Sequence, residues 1–112
     1  MFYKKNTREY INLIDGVKFI SLVNGNKTHM TEFRLEKGST IPLHSHPQEQ
    51  TGYLVSGRLK FTVSNETIEA QPGDAWNLDS DIEHGVEVLE DSLVIEIFSP
   101  PREDYLQHFN FD

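Results

Sequence analysis

Between Val17 and Phe98 the chain never sustains the ~3.6-residue apolar spacing of a packed helix; it runs instead in short alternating stretches that end at turn residues. Val17, Phe19, Ser21 and Val23 fall on one face of a stretch that stops at Asn24-Gly25-Asn26. Met30 to Leu35 is a second candidate strand, ended by Glu36-Lys37-Gly38. Leu59, Phe61 and Val63 alternate with Lys60, Thr62 and Ser64 in the cleanest half-buried pattern. Ser64-Asn65-Glu66 and Pro72-Gly73-Asp74 read as turns. Val86 and Val88 alternate with Glu87 and Leu89, and Leu93 to Phe98 forms the last long strand. Strands this short and regular, with no long helix between them, predict an all-β antiparallel sandwich or barrel.

The ends differ from the middle. Residues 3–15 carry a mixed pattern that suits an edge strand or irregular chain. Residues 101–111 follow a Pro-Pro break and predict a short helical turn packing Tyr105, Leu106 and Phe109. With 112 residues and no repeat or linker, residues 1–112 are expected to form one domain.

Charge and composition narrow the function. A net charge of −8 argues against a nucleic-acid surface and against docking on anionic lipid. An acidic substrate would need a local cation to draw it against that field. The lack of cysteine removes disulfides, thiolate metal sites and thiol nucleophiles together. The first twenty residues scatter charge among their apolar positions, with neither a signal-peptide run nor a spanning helix. The expectation is a soluble cytoplasmic protein.

The candidate metal ligands cluster in LHSHPQEQ and IEHG. His44 and His46 are two apart, so on an extended chain both point to one face. Gln50 lies an even four further on, and His84 comes from a different strand pair that a closed barrel can bring opposite. Imidazole nitrogen with amide oxygen suits one borderline divalent ion, of which Ni, Zn, Fe and Mn are candidates. Each histidine alone is more often a surface or hydrogen-bonded residue. Glu49 has odd parity with His46 and should point away from the metal, while His29 and His108 have no partners at ligand spacing and read as structural or surface residues.

The frame around these residues makes the signal specific. Gly38, five residues, His44-x-His46, three residues, Gln50, six residues and Gly57 resemble the first cupin motif at every spacing. PGDAWNLDSDIEHG, with Pro72 and His84, resembles the second. The resemblance implies a small single-domain cupin, a double-stranded β-helix or jelly-roll barrel, with Gly38 and Gly57 at turns that reverse the strands around the site. Gln50 replaces the motif's usual glutamate, and IEHG lacks the proline that usually precedes the histidine. A neutral fourth ligand leaves the metal's charge uncompensated, which favours Lewis-acid chemistry over oxygen activation.

A second constellation lies in IEIFSPPREDYL. Glu96 interrupts an apolar run, and its spacing places Phe98 on the same face. A glutamate facing a small barrel's cavity is costly unless paired or functional; the alternative is Glu96 in solvent with Ile95 and Ile97 in the core. Arg102 follows the Pro-Pro break, and its plainer reading is a surface salt bridge with Glu103 or Asp104. Together HSHPQEQTGYLVSG, PGDAWNLDSDIEHG and IEIFSPPREDYL are similar to the pectin-degradation cupins of the KdgF type, over nearly the whole chain.

That resemblance implies conversion of 4,5-unsaturated uronate monosaccharides, an acidic sugar substrate, into linear keto acids. It implies metal ligation by His44, His46, Gln50 and His84, and a working end formed by Glu96, Phe98 and Arg102. Glu96 would be the proton shuttle, where the family commonly has aspartate, and Arg102 the carboxylate clamp. The family also often has histidine where Gln48 stands. Phe98 and Trp76 are candidate sugar-binding walls, with a core role for Trp76 equally open. Alternatives are a metal-dependent cupin dioxygenase and a binding-only cupin for a sugar or metal. A homodimer is expected, since a barrel this small exposes strand edges and apolar outer positions. Its candidate surface is the segment around Phe2, Tyr3 and Tyr10 with one face of Val17–Val23.

Overall fold

The structure is a computed structural model and describes residues 1–109. Eight strands make one antiparallel sheet: β1 (Ile11–Ile14), β2 (Val17–Asn24), β3 (His29–Leu35), β4 (Thr40–His44), β5 (Glu49–Val63), β6 (Glu66–Ala70), β7 (Ala75–Leu78) and β8 (His84–Ser99). A single turn of helix, α1 (Glu103–Leu106), follows. The main path runs β1-β2-β3-β8-β5-β6, with β4 added on β8 and β7 on β5. β5 and β8 are the spine. They pair from Glu49↔Ser99 to Val63↔His84, and register slips between Leu54 and Leu59 bend them so that one ladder serves both sides of the barrel.

Local chemistry explains most boundaries. Ser64 and Asn65 both take positive φ, 48° and 69°, and join β5 to β6 in a tight hairpin. Gly57 lies inside β5 at the bend, not in a reversing turn as the sequence suggested. Its φ is +101°, and a Cβ there would stand 2.1 Å from Ser92 Oγ. The hydroxyl of Ser92 accepts the Arg58 N–H instead, at 3.1 Å. In β2 a slip between Ser21 and Val23 ends the simple alternation that put both on one face.

The inner faces hold the core. Phe19, Leu54 and Leu59 are fully buried with Val17, Phe33, Val88, Val94 and Phe98 around them, each worth about 1.5–3 kcal/mol of burial. The Phe19 ring lies 5.5 Å from Phe33 and 4.6 Å from Tyr105, whose side chain plugs the barrel from α1. Leu106 and Phe109 are half-buried beside it. The expected terminal turn thus exists, and its residues 110 and 111 lie outside the described part.

The N-terminal chain is irregular before β1. It lies across β2, where Arg8 Nη1 donates to the Ser21 and Leu22 carbonyls. This uses up part of the surface proposed for dimerisation. Val17, Phe19, Ile20 and Ser21 are all buried within the chain. The Tyr10 hydroxyl bonds Glu32 and accepts Arg34 Nε–H. Phe2 alone of that group remains largely exposed, at 91%. No helix among the described residues is long and apolar enough to cross a membrane.

Candidate metal centre and its cavity

The first four site residues converge because of strand pairing. His44 closes β4 and His84 opens β8, and the two are register partners. His46 follows in the short β4–β5 connection, and Gln50 is the second residue of β5. The rings lie 4.3 Å (His44–His84), 5.1 Å (His46–His84) and 5.7 Å (His44–His46) apart between centroids.

Hydrogen bonding orients all three rings alike. Nδ1–H donates to a main-chain carbonyl in each: Pro42 from His44 at 2.8 Å, Gln48 from His46 at 2.9 Å, and Ile82 from His84 at 2.9 Å. A carbonyl only accepts, so each Nδ1 carries a proton, and in its neutral form each ring presents a bare Nε2 to a metal. One nitrogen from each ring falls in a group whose members lie within 4.8 Å of one another. His84 Nε2 is buried without a hydrogen-bond partner among the described residues. His46 Nε2 lies 2.9 Å from Gln50 Oε1. With its proton on Nδ1, the neutral form of His46 sets a bare Nε2 against the amide oxygen, and burial, then Arg102, lowers its pKa. Two acceptors at such a distance are the arrangement of neighbouring ligands on one cation. The donor set therefore fits a divalent ion.

The second constellation shares the cavity. His44, Gln50, His84, Glu96, Phe98, Arg102 and Tyr105 line one space of about 70 Å³ that is otherwise apolar. Glu96 points inward and is 6% exposed, while Ile95 and Ile97 take the other face of β8 half-buried. Burial pushes its pKa up to about 8, against a lowering by Gln50 and Trp76. The Trp76 indole N–H donates to Oε1 at 3.1 Å. Oε2 is buried and has no partner at hydrogen-bonding distance among the described residues, although the Gln50 amide approaches the carboxyl closely enough to lower its pKa.

Arg102 is more engaged than the sequence suggested. Its Nε and Nη2 bind the Asp104 carboxylate at 3.2 and 2.7 Å, and its guanidinium lies 3.8 Å from the Tyr105 ring centroid and 5.1 Å from that of Phe98. Arg102 thus pairs with Asp104, as its plainer reading expected, and also lines the cavity. Trp76 stands outside the cavity lining, packs 4.6 Å from the Phe61 ring, and meets the site through its N–H. Glu49 faces out, as its parity required, and accepts the Asn77 amide at 2.8 Å.

Sequence reading missed two supporting contacts. Tyr105 was marked only for packing, yet it stacks on Arg102. His29 is buried, and its Nδ1 accepts the Arg102 main-chain N–H at 3.1 Å while its Nε2 lies 2.9 Å from Ser21 Oγ. Nothing in ligand spacing marks a residue that acts by holding main chain.

The buried histidines give an expected acid response. Burial lowers both His29 and His84 from 6.5 to about 4. Between those values the unfolded chain binds more protons, so their stabilisation is complete above pH ~6.5 and is lost as pH falls toward ~4. Glu96, raised from 4.5 to about 8, acts oppositely but is one group against two. Denaturation midpoints of metal-stripped protein should therefore fall from pH 7 to pH ~4.5. His29→Gln, which keeps an acceptor that does not titrate, should flatten the slope. A midpoint constant over that interval would contradict the assignment.

The barrel and its histidine-lined mouth define a class. The chain belongs to the cupins: the Cupin domain family matches residues 31–99. More particularly, it is 30% identical to the pectin degradation protein KdgF of Dickeya dadantii (strain 3937) over 94 residues, covering 82% of this chain and 86% of that one. The structure of KdgF from Halomonas sp. superposes with a TM-score of 0.89 at 28% identity, covering 95% of this chain and 98% of that one. An RmlC-like cupin from Shewanella frigidimarina also reaches 0.89 at 24% identity, covering 94% and 95% of the two chains, a likeness of fold.

Proposed function

We propose that this cupin linearises 4,5-unsaturated uronate monosaccharides of the kind released in pectin or alginate breakdown, using one divalent metal ion. The observation that carries the reading is the inward, buried Glu96, whose unbonded Oε2 lies in the same cavity as His44, Gln50 and His84. Similarity to a protein named for pectin degradation, and to the structure of another KdgF, supports the substrate class.

The chemistry follows from the groups present. The substrate is a cyclic enol ether with a hemiacetal at carbon 1 and a carboxylate on carbon 5. Glu96 takes the hemiacetal proton, the bond from carbon 1 to the ring oxygen breaks, and carbon 1 becomes an aldehyde. The electron pair leaves an enolate across carbons 4 and 5, and Glu96 returns the proton to carbon 4. The product is an isomeric 5-keto acid, with no redox change. A carboxyl pushed up to about 8 is suited to both halves of this task near neutral pH. His44, His46, Gln50 and His84 would hold the ion, which would supply positive charge where the enolate oxygen develops. Arg102 attracts the uronate carboxylate; since Asp104 occupies Nε and Nη2, the outer nitrogen Nη1 is left for the substrate.

Product analysis tests the reading. A product of unchanged mass with no oxygen uptake fits linearisation. Oxygen consumption would indicate the dioxygenase, and equilibrium binding without any product the binding-only cupin.

The reading includes a homodimer. Tyr53 and Val55 are 48% and 43% exposed, and Tyr53 is paired across the ladder with the half-buried Ile95. Light scattering is expected to give twice the chain mass, and the monomer mass across micromolar concentrations would contradict it.

A further inference from the structure

Gly52 presents a puzzle that the metal centre does not explain. It sits near the start of β5, paired with Trp76 of β7 on one side and Glu96 of β8 on the other. Its φ lies outside the left-handed region, so the backbone makes no demand for glycine. Space makes the demand. A Cβ on residue 52 would lie 2.1 Å from Trp76 Nε1, 2.2 Å from Trp76 Cε2 and 2.5 Å from Glu96 Oε2. Glycine inside a strand costs packing and conformational freedom, and marks a place where something must pass close to the backbone. Here the indole passes. It crosses the bare Cα of Gly52 and reaches Glu96 two strands away.

The crossing divides the two carboxyl oxygens by role. An indole N–H only donates, so the oxygen it meets, Oε1, must accept whether Glu96 is charged or neutral. A proton on Glu96 then belongs on Oε2, the atom without a hydrogen bond among the described residues. The Phe61 ring behind Trp76 holds the indole in that crossing.

We infer that Trp76, reaching across Gly52, is a positioning residue that commits Glu96 Oε1 to the indole and leaves Oε2 as the atom that exchanges protons with substrate. The inference rests on Glu96 as the proton shuttle and deepens that reading. It gives Trp76 a role other than a sugar-binding wall, and it gives Gly52 a reason to lack a side chain.

Trp76→Phe keeps an aromatic ring against Phe61 and removes the donor. It should lower kcat at least tenfold, leave KM within twofold, and keep the parent's metal content and circular dichroism. A sugar-wall role would raise KM instead. Trp76 is the chain's sole tryptophan, so the indole N–H band in ultraviolet resonance Raman reports this one contact without any turnover. Glu96→Ala should shift that band toward an unbonded or water-bonded N–H, and Gly52→Ala, where it folds, should shift it likewise and lower kcat as Trp76→Phe does. An active parent whose Trp76→Phe variant keeps full kcat overturns the inference alone, as does a band unmoved by Glu96→Ala. A parent that leaves the uronate intact overturns the inference together with the reading beneath it, even where the band shifts and the contact itself stands.

Discussion

Replacing Glu96 with glutamine is expected to lower turnover of the unsaturated uronate by about 10²–10⁴-fold, the usual contribution of a positioned acid–base group. The amide matches the carboxyl in shape, and its oxygen still accepts from the Trp76 N–H. It cannot exchange a proton at neutral pH. Metal content, fold and substrate affinity should therefore stay near those of the parent. Arg102→Ala should separate cleanly from this. The Arg102 side chain is 11% exposed and aligned by Asp104, and a hydrogen bond to a charged partner contributes about 1.5–3 kcal/mol. Its loss should raise KM roughly ten- to hundredfold with a smaller change in kcat. Steady-state kinetics of the two variants checks both expectations. Full turnover by Glu96→Gln would make the carboxyl structural and move the chemistry elsewhere.

The second large effect concerns the metal. Replacing His44 and His46 together with alanine should reduce bound divalent ion from about one per chain to less than about one tenth of that, since half the donor set and its chelate geometry go together. Folding should survive. Neither imidazole belongs to the apolar core, and the main chain at His46 keeps its bond from the Asp81 N–H at 2.8 Å. Elemental analysis alongside circular dichroism reads both quantities. Undiminished metal in a β-rich double variant would sink the ligand assignment.

The parts of the fold that were legible in the sequence are those where burial obeys simple alternation. Leu59 and Phe61 alternate inward and mark the far half of β5, and Ser64-Asn65 announces its hairpin. The near half of β5 was missed because its pattern is inverted by the site. Gln50 and Gly52 face inward there, while Tyr53 and Val55 face out. β8 hides for the same reason. Its inward Glu96 lies between outward isoleucines, and the polar Glu90-Asp91-Ser92 looks like a turn where the chain in fact only bends. Departure from binary patterning is thus itself the mark of the cavity.

The candidate site divides similarly. The side chains proposed to act directly were visible through spacing and resemblance: His44, His46, His84, Gln50, Glu96 and Arg102. Residues that act through another group were not. His29 holds an N–H and Gly52 an open path, and both depend on strands distant in sequence coming into register. Only the ladder of β7, β5 and β8 shows that Trp76 faces Glu96 across a glycine.

The central claim is metal-dependent opening of an unsaturated uronate, and the enol-ether absorbance of that substrate follows it directly. Lyase-generated monosaccharide should lose this absorbance in the presence of metal-loaded protein. The loss should stop when a chelator strips the ion and resume when a divalent ion is restored. Absorbance that stays constant with loaded protein, or that falls equally fast after stripping, would contradict the account.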